Sequence, residues 1–177
     1  MGLSARHLTV STVGVAPAIE RLAVDAPTVT LAVSLHAAND ELRDTLVPLN
    51  RTYPLERVQA ACLAWTAATR RRISFEWALI DAVNDRPRDA AELAVIARRV
   101  GAHVNLISLN PTPGYATAGT PRAGVVAFRD ALVRLGVNAT IRATRGQSID
   151  AACGQLAAVA GGRRAAVRAP RRAPTPA

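Results

Sequence analysis

Apolar residues recur along this chain in two rhythms that take turns. Thr28–Ser34 is a continuous β-branched and apolar run, the pattern of a strand buried on both faces. From Ile73 to Ile80 the residues alternate, with Ile73, Phe75, Trp77 and Leu79 on one face and Ser74, Glu76 and Ala78 on the other. His7–Thr12, Val104–Leu109 and Val137–Arg142 complete a set of five predicted strands. Segments of helical period lie between them. One follows Gly14 and runs to about Ala23, and a second runs from Pro54 to about Thr69, with Val58, Cys62 and Trp65 on one stripe. Pro87–Val100 turns Leu93, Ile96 and Val100 inward. Pro121–Leu135 repeats Val125, Phe128, Leu132 and Leu135 before Gly136, where a C-cap glycine belongs. Ile149–Ala158 is the last predicted helix.

Strands alternating with helices predict an α/β fold of parallel β/α units. A P-loop and a glycine-rich dinucleotide fingerprint are both missing. After Gly161–Gly162 the periodicity stops and Pro and Arg accumulate, so the chain divides into a folded part, 1–158, and an Arg/Pro-rich tail, 159–177, expected to be disordered. That tail is either a solvated terminus or a source of non-specific RNA affinity.

Composition narrows the classes. The 177 residues suffice for one domain with a full core, and with only 3% aromatics that core must be built from Ala, Val, Leu and Ile. The net charge is +9, carried by arginine without any lysine, and predisposes the chain toward polyanions, nucleic acid first. Two cysteines, Cys62 and Cys153, make neither a metal-ligand spacing nor a disulfide framework, which fits a reducing cytosol. No apolar run is long enough for a membrane span, and the first residues lack a signal-peptide core. A cytoplasmic location, without a membrane partner, is the expectation.

In β/α barrels the chemistry gathers at the C-terminal ends of the strands. Ser11 ends the first predicted strand, Ser34–Leu35–His36 the second, Asn110 the fourth and Arg142–Arg145 the fifth, so these polar groups would share one rim. Taken singly, His36 reads as a hydrogen-bonded loop histidine and Asn110 as a turn residue before Pro111. Glu76 lies mid-strand on the face expected to point into the barrel, where a carboxylate needs a partner: either a bound ligand or an internal arginine. Asp81, Asn84 and Asp85 read as an Asx-type turn and helix entry ahead of Pro87. Cys62 reads as core packing. Cys153 follows Arg142 and Arg145, which favour thiolate; the competing reading is a small buried residue opening the last helix.

Six blocks carry a resemblance. They are Leu8–Ile19 (LTVSTVGVAPAI), Val33–Ala37 (VSLHA), Asn39–Asn50 (NDELRDTLVPLN), Phe75–Asp85 (FEWALIDAVND), His103–Gly114 (HVNLISLNPTPG) and Arg145–Leu156 (RGQSIDAACGQL). In this order they closely resemble the second half of the radical S-adenosylmethionine (SAM) methyltransferases that modify carbon 2 of an adenine in 23S ribosomal RNA. The resemblance runs from about residue 5 to 158. It implies the C-terminal part of a partial (β/α) TIM-like barrel, with Ser11, Ser34, Leu35, His36 and Asn110 contacting SAM and Cys153 as the catalytic cysteine that becomes methylated. Adenine C2 is a poor nucleophile, so in such enzymes one SAM methylates the cysteine. A [4Fe–4S] cluster cleaves a second SAM to a radical that activates the S-methyl group, and another cysteine resolves the adduct. The implied partners are 23S ribosomal RNA, transfer RNA as a further candidate, and a reductant such as flavodoxin.

The chain departs from that pattern. The cluster motif C-x-x-x-C-x-x-C and the Gly-Glu loop are missing, Ser108 stands where Pro is usual, and Gln147–Ser148 where acidic residues are usual. With two cysteines and no metal ligands of its own, the chain is expected to be a truncated, mis-started or split-gene fragment that lacks its N-terminal half and is inactive alone. Two other readings stand beside this one: a non-catalytic RNA- or SAM-binding remnant, and an unrelated small barrel enzyme. For the latter, the lack of lysine removes Schiff-base chemistry.

Overall fold

A computed structural model describes residues 8–109 and 118–142. Five strands, β1 (Thr9–Thr12), β2 (Thr30–Ser34), β3 (Ser74–Leu79), β4 (His103–Ser108) and β5 (Ala139–Arg142), form one sheet in sequential order. Every neighbouring pair is parallel. Helices connect them: α1 (Ala16–Asp25), α2 (Asp40–Leu46), α3 (Leu55–Thr69), α4 (Pro87–Val100) and α5 (Arg122–Arg134). Sequential parallel order differs from a doubly wound sheet, whose strand order reverses and whose helices cover both faces. Here one face takes the helices and the other is left as the inside of a barrel wall.

Residue type follows that division. Leu31, Val33, Phe75, Trp77, Leu79, Val104 and Leu106 project to the helical side and join Val58, Cys62, Trp65, Leu93, Phe128 and Leu132 in one buried cluster. Trp77 stacks on Phe128 with ring centroids 6.1 Å apart. The register then puts Ser34, Glu76, Asn105 and Thr140 in one row across four strands on the opposite face. Ser11, Ala32, Ser74 and His103 form the next row.

The predicted elements are present with shifted ends. α1 begins at Ala16, after Gly14, which sits at φ +105° in the bend that leads into the helix. α2 and a 3-10 turn at Pro48–Arg51 have no counterpart in the periodicity reading, since seven largely polar residues give too short a repeat. Asn39 caps α2, its Oδ1 accepting from the Leu42 N–H at 3.0 Å. β1 is a sheet edge in the described residues, and Leu8 beside it is 46% exposed. The predicted last helix and the tail lie outside the described residues.

Candidate functional site

β2 delivers the chain to Ser34, Leu35 and His36 and then turns away from the sheet. His36 has φ +60°, a left-handed conformation that a side chain adopts only when its surroundings hold it there. Two contacts do so. The imidazole Nδ1 accepts from the Ala78 N–H at 3.1 Å, and the His36 carbonyl accepts from Asn84 Nδ2 at 2.9 Å. An accepting Nδ1 leaves the proton of the neutral ring on Nε2. Burial, and next the positive charge of Arg43, lower the His36 pKa to about 4 against an opposing effect from Glu76, so the ring is neutral near pH 7.

Asn84 is fully buried and does more than turn the chain toward α4. Its Oδ1 accepts from the Ile80 N–H at 2.7 Å, and Nδ2 also donates to the Ala78 carbonyl at 2.8 Å. The helix-entry role expected of this loop belongs to Asp89 instead, whose Oδ2 accepts from the Arg86 N–H at 3.0 Å. Asp85 reaches sideways, accepting from the Thr120 hydroxyl at 2.8 Å.

Arg43, on α2, is the residue that pattern reading passed over. It is 1% exposed. Nε donates to the Leu35 carbonyl at 3.1 Å, Nη1 to Asn50 Oδ1 at 2.8 Å, and Nη2 to the Val13 carbonyl at 2.7 Å. One guanidinium therefore ties together the chain ends that leave β1 and β2. Asn50 is held in turn by Asp40 and Asp44, at 2.9 and 2.7 Å. Gly14 makes room for this arrangement, since a Cβ there would stand 3.2 Å from Arg43 Nη2 and 3.0 Å from Val58. The sequence signal was present: an arginine in a segment flanked by Asp40, Asp44 and Asn50, four residues with complementary donors and acceptors.

Of the expected site residues, Ser11 and Ser34 have hydroxyls on the inner face, Ser11 exposed and Ser34 half-buried. His36 follows directly. The side chain of Leu35 is fully buried in the core, and its carbonyl is taken by Arg43 and the Ala37 N–H. It can meet a ligand only as backbone. Asn110 and Cys153 lie outside the described residues. Glu76 has no arginine partner among the described residues; Oε1 accepts from Ser74 Oγ at 2.5 Å and Asn105 Nδ2 at 2.9 Å. Cys62 is fully buried, and burial pushes its thiol up to about 12.

No family profile matches the chain. Curated relatives do. A protein of Parafrankia sp. (strain EAN1pec), named probable dual-specificity RNA methyltransferase RlmN, is 54% identical over 84% of this chain and 39% of its own length. A protein of the same name from Moorella thermoacetica is 51% identical over 84% of this chain and 42% of its own. A crystal structure of a radical SAM methyltransferase from Sphaerobacter thermophilus superposes with a TM-score of 0.84 at 49% identity, covering 86% of this chain and 45% of that one. Over 84% of its length the chain is similar to RlmN-type radical SAM methyltransferases. It spans about two-fifths of the length of these curated relatives. The sheet is accordingly part of a radical SAM TIM-like barrel. A domain of a pyruvate-formate lyase-activating enzyme from Bacteroides vulgatus, at 16% identity and a TM-score of 0.61, shares the fold alone. No described helix is long and apolar enough to cross a membrane.

Proposed function

We propose that this chain supplies the SAM-cradling and methyl-carrying part of an enzyme that methylates C2 of adenine in 23S ribosomal RNA. Adenine in transfer RNA is the second substrate class, a reading supported by the words "dual-specificity" in the relatives' names. The observation that carries it is the placing of Ser11, Ser34 and His36 at the C-terminal ends of the adjacent strands β1 and β2, in a chain 49% identical over 86% of its length to a radical SAM methyltransferase. Cytoplasmic location and a small electron donor such as flavodoxin belong to the same reading.

The residues present suit SAM. The hydroxyls of Ser11 and Ser34 and the Nε2–H of His36 offer donors and acceptors to a polar nucleoside, and the buried Oε2 of Glu76 has no partner among the described residues. Bound there, SAM supplies an activated methyl group. Neutral His36 donates from Nε2, while Arg43 holds the Val13 and Leu35 carbonyls so that both strand ends keep their spacing. Asn110 is the further SAM contact. Cys153, whose thiolate is favoured by Arg145, accepts the methyl group and presents it to the base.

A [4Fe–4S] cluster does not fit these residues. It needs about three or four thiolates, whereas the chain has two cysteines and Cys62 is locked in the apolar core with a raised pKa. The complete reaction therefore belongs to this chain joined to a cluster-binding segment. The test is a fusion of this chain to the cluster-binding portion of a relative, supplied with SAM, reductant and RNA, with C2-methyladenine measured by mass spectrometry of the digested RNA. Methylation that Cys153→Ala abolishes supports the proposal. SAM binding without methylation supports a non-catalytic remnant instead.

A further inference from the structure

A chain of hydrogen bonds on the inner face ends on an unfinished carboxylate. Asn105 Nδ2 donates to Ser74 Oγ and to Glu76 Oε1, each at 2.9 Å, and the Ser74 hydroxyl donates to the same Oε1. The carbonyl end of Asn105 receives the Thr140 hydroxyl at 2.7 Å and lies 3.0 Å from His103 Nε2. Nε2 is also 2.9 Å from Thr140 Oγ1. Since Thr140 gives its proton to Asn105, Nε2 must carry the proton that faces both oxygens. The relay of donors runs toward Glu76, and the two that reach its carboxyl, from Ser74 and Asn105, both fall on Oε1. Oε2 is shielded from solvent and has no partner among the described residues. A buried acceptor left bare is costly, and a fixed network that leaves one is a common mark of a ligand site.

The neighbourhood says which ligand. Glu76 is in register with Ser34, and the Leu35 N–H donates to the Glu76 carbonyl at 3.0 Å, so the carboxyl lies beside the strand end bearing Ser34, Leu35 and His36. We propose that Glu76 is a ligand-binding residue whose Oε2 accepts a hydrogen bond from a hydroxyl or amine of SAM. Ser74, Asn105, Thr140 and His103 act as positioning residues that fix the carboxyl. This inference rests on the reading of the inner face as a SAM site.

Equilibrium dialysis of labelled SAM and labelled adenosine against the full chain tests it, with Glu76→Gln as the variant. Two donors claim the Oε1 position, so glutamine must put its NH2 where Oε2 stands and face the ligand's donor with another donor. SAM affinity then falls about tenfold or more, while the thermal midpoint of the unliganded chain stays or rises. An equal loss for adenosine puts the donor on the nucleoside; a loss confined to SAM puts it on the methionyl part. Thr140→Val, at the exposed far end of the network, weakens SAM binding several-fold with an unchanged midpoint and serves if the glutamine variant does not fold. Wild-type SAM binding matched by both variants overturns the role of Glu76 and leaves the proposed function standing. A wild-type chain that binds no SAM overturns both.

Discussion

Arg43 donates through Nη2 to the carbonyl of Val13 at 2.7 Å, across 30 residues of sequence. The same guanidinium holds Leu35, so the geometry of two strand ends depends on one side chain. Arg43→Met keeps much of the volume but leaves both carbonyls and Asn50 without their donor, at a cost of about 3 kcal/mol. Arg43→Lys, a point charge without the planar fork, recovers only part of it. Urea unfolding of the three proteins measures the differences; equal stability of the lysine variant and wild type would show that the fork geometry is unimportant.

His36 makes stability depend on pH in a definite direction. Its pKa falls from 6.5 in the unfolded chain to about 4 in the fold, so the unfolded chain takes up a proton first as pH drops. The contribution is fully present above about 6.5 and is lost as pH falls toward 4, on the order of 3 kcal/mol in all. An imidazole titration followed by NMR is expected to show a midpoint near 4 with the Nε2–H tautomer. A midpoint at 6.5 contradicts the burial and the Ala78 hydrogen bond together.

Asn84→Ala removes three side-chain hydrogen bonds from a buried position and releases the His36 carbonyl. The expected cost is about 2–4 kcal/mol. Hydrogen exchange at Ile80, whose N–H bonds to Asn84 Oδ1, is expected to accelerate in the variant. Unchanged protection there would mean the loop is held by other contacts.

Burial sets the reactivity of Cys62. Cys62, buried and raised to about 12, is expected to resist a thiol reagent in the native chain and to react on unfolding. Cys62→Ala costs about 1 kcal/mol of packing. Rapid native labelling of Cys62 would contradict its place among Val58 and Trp65 in the core.

Much of this was legible beforehand because period reports burial. The alternation of Ile73 to Leu79 gave both faces of β3 and set Glu76 on the inner one, and Cys62 sat on the stripe that packs inward. Asn84 and Arg43 were not legible in the same way. Each is a polar residue in an irregular or short segment, and its burial arises from partners 48 and 30 residues away. Local spacing marks Asp40, Asp44 and Asn50 around Arg43 but carries no trace of these distant partners. Leu35 lies between Ser34 and His36, and its side chain follows the pleat into the core.

The central claim is that Cys153 carries the methyl group, and peptide mass spectrometry of the fusion protein after incubation with SAM tests it most directly. The account predicts one methyl group on the peptide containing Cys153 and none on the peptide containing Cys62. Methylated RNA together with a methyl group on Cys62, or with Cys153 replaced by alanine, would contradict it.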